Sequence, residues 1–200
     1  MLDACIDSIR AQDMDAFEVL CIDDGSTDDG PTRIAAGGYR DGDFPEDYEL
    51  WLRLHAAGEV LAKLPQTLLH WRDGPGRLSR TDLRYARIAF DRLRAGYLAR
   101  DPRLLAARSR LVIWGAGRRT RRRGAHLLGH GFRPRAWIDI DPRKIGNRLA
   151  GVPVVDPSWL RRRPRPFVLS YVASHGARPC IEAELSRLGY RKGEDYLHVG

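Results

Sequence analysis

Three groups of residues have side chains and spacings suited to chemistry. The first is EVLCIDDGSTDDG, Glu18 to Gly30, where an apolar run ends in the pair Asp23–Asp24 and the pair Asp28–Asp29 follows. A carboxylate at the C-terminal end of a strand sits where ligands bind in open α/β sheets. Asp23 and Asp24 can there accept hydrogen bonds from a base or a ribose, while Asp28 and Asp29 either hold Mg²⁺ or face water. Asp, Gly, Ser and Thr also favour plain turns, so spacing alone leaves this loop open between a site and a turn. The second group is Glu46–Asp47, directly after Pro45. Proline and acids suit the first turn of a helix, so on position alone the pair reads as helix-start electrostatics. The third is Gly115-Ala116-Gly117, set between the apolar run LVIW and a helical pattern. Backbone amides at such a helix start favour a phosphate. Asp139, 24 residues after Gly115, ends the next expected strand, where an acid binds ribose hydroxyls. Thr120 stands at the third glycine position of that fingerprint, so a tight turn that holds no ligand is the competing reading.

The elements expected to position these groups alternate along the chain. LDACIDSIRAQ places Leu2, Cys5, Ile6 and Ile9 on one helical stripe, and FEVLCI reads as a buried strand. A helix is expected through EDYELWLRLHAAG, stopping at Gly58. EVLAKL and TLLHW read as short strands and WRDGPGRLSR as a loop. From Thr81 or Asp82 a long helix is expected to about Arg100, with Leu83, Ala86, Phe90, Leu93 and Tyr97 facing the core. Beyond it LVIW, RAWIDID, GVPVVDP, PFVLSYV and DYLHV read as strands, and TRRRGAHLLGHG and ARPCIEAELSRLG as helices. Alternation of strand and helix implies a doubly wound parallel sheet. The fold class is α/β, with one unit over residues 1–100 and a Rossmann-like nucleotide-binding unit over 108–200.

Composition narrows the partners. The chain has 200 residues, 43% hydrophobic and 30% charged, the profile of an ordinary globular protein. No apolar run approaches the roughly 18 residues of a membrane span, and MLDACIDSIRAQD lacks the basic lead of a signal peptide. Cys5, Cys21 and Cys180 are scattered, which suits reduced thiols in a cytoplasmic protein rather than a zinc site. Residues 1–100 carry 13 basic and 18 acidic groups, and residues 101–200 carry 21 and 8. The basic half suits an anionic partner. It lacks the interleaved aromatic and basic residues of single-strand binders, so nucleic acid is not favoured. Arg118, Arg119, Arg121, Arg122 and Arg123 crowd one helix start, where cations oppose the helix dipole unless an anion is present.

Residues 2–30, with the Asp-Asp-Gly-Ser-Thr-Asp loop, resemble the start of a family 2 glycosyltransferase of the GT-A type. GGYRDGDFPEDYELWLRLHAAGEVLAKLPQTLLHWRDGPGRLSR resembles a later part of the same domain, with its Glu-Asp helix and downstream Trp-Arg and Ser-Arg loop. The resemblance implies transfer of a sugar from a nucleotide-diphosphate donor to a hydroxyl acceptor. It implies that one aspartate of the Asp23–Asp24 pair, Asp24 before Asp23, contacts the uracil or other base of the donor, that Asp47 is the general base and that Glu46 orients it or touches the acceptor. His70, Arg72, Arg77 and Arg80 would meet the donor diphosphate. The non-functional readings are helix-start electrostatics for Glu46 and Asp47 and a solvated loop for the arginines.

Two family features are not in their usual places. The chain starts in the helix that follows the family's first strand, and only PTRIAA separates Gly30 from Gly37, where a middle strand with a metal-binding Asp-x-Asp belongs. The unit over 1–100 is therefore expected to be a truncated GT-A unit. Mg²⁺ or Mn²⁺ is expected from the family, but its ligand motif is missing, and Asp41-Gly42-Asp43 lies in the loop before the Glu-Asp helix. No metal ligand and no redox cofactor is assigned. Residues 111–200, with AWIDIDPRKIGNRLAGVPVVDP, resemble the nucleotide-sugar-binding Rossmann-like half of some sugar acetyltransferases. The expected partners are a nucleotide-sugar donor, a hydroxyl acceptor and a partner protein or second copy, at the cytoplasmic side or the inner membrane surface. The alternative function is a non-enzymatic module that binds a nucleotide or nucleotide sugar.

Overall fold

The computed structural model describes residues 39–59 and 76–200. Their centre is a six-stranded sheet with helices on both faces. Its strands are β1 (Leu111–Trp114), β2 (Trp137–Ile138), β3 (Arg148–Leu149), β4 (Val152–Val155), β5 (Phe167–Ser170) and β6 (Tyr196–His198), in the order β3-β4-β2-β1-β5-β6. All neighbours run parallel except β3 and β4. The five parallel strands thus follow the doubly wound order, with the connections diverging on either side of β1. LVIW and FVLS are buried at every residue because both faces of a parallel sheet are covered.

One face carries α3 (Arg87–Leu98), α4 (Pro102–Ala106) and α5 (Arg118–Gly129). Ala95, Leu98, Leu104, Ala107 and Leu127 pack there on Leu111, Ile113, Phe167 and Leu169. The other face carries α6 (Ala177–Arg187) and the 3₁₀ turn Pro157–Arg161, whose Ile181, Leu185 and Leu160 meet Val112, Trp114 and Val168. The α/β class with a parallel sheet is as the alternation implies. Ala95 and Leu98 come from within residues 1–100, so the sheet's packing runs across the boundary expected near residue 100.

Residues 39–59 and 76–100 contain helices and no strand. The first helix, α1 (Glu46–Ala56), begins after Pro45 and ends before Gly58, whose φ is +95°. The expected helix from Thr81 to Arg100 is instead three pieces: α2 (Leu78–Thr81), a 3₁₀ turn Leu83–Tyr85 and α3. Asp82 causes the break, because its side chain accepts the amide of Arg84 at 2.8 Å and holds the backbone extended. The buried stripe shifts accordingly to Ala89, Asp91, Ala95 and Leu98, and Leu83 is left exposed. The loop expected over Trp71–Arg80 is helical from Leu78.

No helix joins β2 to β4. Asp141–Asn147 forms turns and leads into the β3–β4 hairpin, whose two-residue turn is Ala150 (φ +47°) and Gly151 (φ +80°). Alternating patterning is weak over a two-residue strand, so β3 was invisible in it. The elements expected over LDACIDSIRAQ, FEVLCI, EVLAKL and TLLHW lie outside the described residues, apart from Glu59.

Candidate functional site

The crevice of a doubly wound sheet opens where the connections diverge, here beyond the C-terminal ends of β1 and β5. β1 is the most enclosed strand, with β2 on one side and β5 on the other. It delivers the chain into Gly115-Ala116-Gly117. Gly115 has φ +108°, and a Cβ on it would lie 2.8 Å from Thr120 Oγ1 and from Val172 Cγ2. Only glycine fits there. The Gly115 amide also donates to the Ile138 carbonyl at 2.7 Å, fixing the turn to β2.

Gly117 differs: a Cβ on it would meet nothing within 4 Å. It is the residue before α5, whose first helical hydrogen bond runs from the Arg121 amide to the Gly117 carbonyl at 3.0 Å. The amides of Arg118, Arg119 and Thr120 therefore have no partner within the helix. An open glycine beside a helix start lets an anion approach the backbone closely.

Thr120 is buried against Gly115, filling the space that a third fingerprint glycine would leave. The close approach of helix to sheet falls one turn later, at Gly124. A Cβ there would sit 3.7 Å from Ile113 Cδ1 and from Trp137 Cη2. Sequence reasoning missed Gly124. Its spacing of seven from Gly117 was the available signal, since it puts a second glycine on the sheet-facing side of α5.

Asp139 lies just past β2 and is 7% exposed. Its Oδ2 accepts the Ala116 amide at 2.8 Å; its Oδ1 accepts the amides of Ile140 at 2.9 Å and Asp141 at 3.0 Å. Lys144 Nζ lies 3.3 Å from Oδ2. Burial pushes this carboxyl up, but the amides of Asp141 and Ala116 and the Lys144 ammonium outweigh it and hold it below its ordinary value. The carboxylate thus braces the glycine turn from the neighbouring strand. Lys144, which the sequence reading passed over, is its counter-ion. Across the crevice β5 ends in Ser170, fully buried, whose Oγ has no hydrogen-bond partner.

Glu46 and Asp47 stand on a different element, the first turn of α1. Tyr85 donates its hydroxyl to Glu46 Oε1, and Glu46 Oε2 is buried without a partner. Burial, then the Glu46 carboxylate, raises the Tyr85 hydroxyl far above its ordinary value, so it remains a donor. Asp47 Oδ1 accepts the Tyr48 amide at 2.6 Å. Arg77, half-buried, directly precedes α2, and Arg80, exposed, lies within it. Asp23, Asp24, His70 and Arg72 lie outside the described residues. Asp41 and Asp43 are exposed in a bend, and among the described residues no three His, Cys, Asp or Glu side chains cluster as a metal site would require. The Mg²⁺ or Mn²⁺ expected from the resemblance therefore finds no matching donor set there.

A cavity of about 700 Å³ separates α1 from α3 and the end of β6. Several of its cations are already held by acids. Arg53 bonds Glu49, Arg94 bonds Asp91 and Arg103 bonds Asp101. Arg94 also donates to Tyr48 Oη at 2.7 Å and to the Val199 carbonyl at 2.6 Å, so this seam ties α1 to the sheet unit. Burial pushes the Glu49 carboxyl up, and bonds from Arg53 and Tyr97 reverse that to a net lowering. The seam reads as docking rather than as a ligand site.

Comparison with known proteins adds a partial match. The model of the glycosyl transferase family 2 matches residues 1–40. No curated protein matches the chain. Among solved structures, the chain is similar to RSP, a Rex-family repressor, at 19% identity and a TM-score of 0.35, over 45% of this chain and 52% of that one. It is also similar to RSP in complex with beta-NAD+ and operator DNA, at 17% identity and a TM-score of 0.35, over 53% of this chain and 57% of that one. The chain thus spans little more than half the length of these two structures.

Proposed function

We propose that residues 108–200 bind the diphosphate of a nucleotide, as nucleotide or nucleotide sugar, at the Gly115–Gly117 turn. The observation that carries this is the contrast between the two glycines. Gly115 is required by packing and by its positive φ, whereas Gly117 has open space above unpaired helix-start amides, at the crevice of the sheet. Packing alone explains the first glycine and leaves the second without a reason. Asp139 shapes the turn from behind.

A second reading is favoured by the family match over residues 1–40. In it the chain is glycosyltransferase-like and moves a sugar from a nucleotide-diphosphate donor to a hydroxyl acceptor. Asp23, Asp24, Arg72, Arg77 and Arg80 would hold the donor. Asp47 would take the acceptor proton and Glu46, held by Tyr85, would orient it.

Titration calorimetry with a nucleoside diphosphate sugar and with NAD, each with and without Mn²⁺, separates the readings. Metal-independent binding that Gly117→Val abolishes is the expected result for the module. Metal-dependent binding that survives Gly117→Val, with turnover lost in Asp47→Asn, would instead support the transferase. No binding of either ligand would overturn the assignment of the turn.

A further inference from the structure

A second groove, of about 590 Å³, lies between α3 and α5. Asp91 and Arg123 line it, with Arg87 and Ile88 from α3 and Arg119, Arg122, Ala125 and His126 from α5. Its charge is unbalanced. Asp91 is 6% exposed and already accepts Arg123 Nε at 2.9 Å and Arg94 Nη1 at 3.1 Å through the same oxygen. That carboxylate is therefore committed to two guanidinium groups. Arg87, Arg119 and Arg122 are exposed and have no acidic partner among the described residues. Helix α5 contains no acid at all.

Three uncompensated guanidinium groups on facing helices repel one another, and an anion between them relieves that repulsion. Arginine forks match phosphate oxygens in pairs. The spacing of Arg119 and Arg122 puts both on one face of α5, and Arg87 faces them from the start of α3. Ile88 and Ala125 give the same groove an apolar wall.

We propose that this groove is a binding site for a small molecule bearing a diphosphate, held by Arg87, Arg119 and Arg122, with its less polar part against Ile88 and Ala125. It is separate from the glycine turn and does not rest on that reading. A groove confined between two helices suits a small ligand better than a nucleic-acid backbone, which tracks an extended stripe.

The test is calorimetric titration of the full chain with inorganic pyrophosphate at low ionic strength. The double variant Arg119→Gln/Arg122→Gln is expected to weaken binding by about tenfold to a hundredfold. Gly117→Val is expected to remove only the share of binding that belongs to the turn and to leave the share lost in Arg119→Gln/Arg122→Gln, which distinguishes the two sites. The control Arg118→Gln/Arg121→Gln removes the same charge from exposed positions outside the groove and is expected to change affinity little. Since all four arginines but no core residue are altered, an unchanged thermal melt verifies folding. Absence of pyrophosphate binding would overturn the proposal. So would an equal loss in the control pair, or removal by Gly117→Val of the same share of binding that Arg119→Gln/Arg122→Gln removes. Tighter binding of a DNA duplex than of pyrophosphate, with the same dependence on Arg119 and Arg122, would replace the small ligand with a nucleic acid.

Discussion

At the scale of the residue, the glycine turn makes the sharpest demands. Gly115→Ala introduces a Cβ into the 2.8 Å contacts with Thr120 and Val172 at a φ of +108°. The expected cost is about 3 kcal/mol, read as a shift of the denaturant midpoint. Gly117→Ala meets no atom within 4 Å and has an ordinary negative φ, so its folding cost is expected to be small. Asp139→Asn replaces one acceptor oxygen with a donor that faces backbone amides. One amide is left unpaired, at about 1–3 kcal/mol. Equal stability of Asp139→Asn and the parent would show that the carboxylate does not brace the turn. The motif Gly-x-Gly followed by an acid was legible in the sequence. What the acid does was not, because a ribose and the protein's own amides ask for the same carboxylate geometry.

At the scale of the element, α1, α3 and α5 are joined by one buried carboxylate. Asp91 holds Arg94 and Arg123, and Arg94 reaches on to Tyr48 of α1 and to the Val199 carbonyl. Asp91→Ala leaves two partly buried guanidinium groups without their acid and is expected to cost about 3 kcal/mol. Arg92→Ala, exposed on the same helix, is expected to stay within about 0.5 kcal/mol. A double-mutant cycle of Tyr48→Phe with Arg94→Ala measures how firmly α1 is attached; zero coupling would mean that the seam is a contact without energetic weight. Helices α1, α5 and α6 were legible because terminal glycines and apolar spacing agreed. Helix α3 was misplaced because alternative stripes existed and tertiary packing chose the one containing Asp91. A buried acid on a core face is unreadable until the arginines that neutralise it, one of them 32 residues away, are brought alongside.

At the scale of the whole molecule, acid sensitivity has two origins. His198 ends β6, with Glu182 Oε1 at 3.2 Å and Arg178 and Lys192 nearby. Burial lowers its pKa below 6.5, against the pull of Glu182 and with help from Arg178 and Lys192. The unfolded chain then binds this proton more readily than the folded one, so stability falls as pH drops below 6.5. Asp139 and Glu49 have lowered values, and their contributions are lost further down, as pH falls below about 4. The melting temperature is expected to decline in two stages, and His198→Asn to remove the upper one. A single decline unchanged by that variant would reject the assignment. The doubly wound order followed from alternation, but the reversed strand β3 did not, and it bears on how the molecule behaves in company. A row of unpaired strand amides and carbonyls is a template for another chain. On one side of this sheet β3 covers β4, is only two residues long and carries Arg148. Everything there depends on a turn at positive φ through Ala150 and Gly151. Gly151→Val should unlatch that cover without touching the core, and self-association that grows with concentration would be its signature in sedimentation. On that expectation the sixth strand serves less to build the core than to keep the edge of β4 from pairing with another chain.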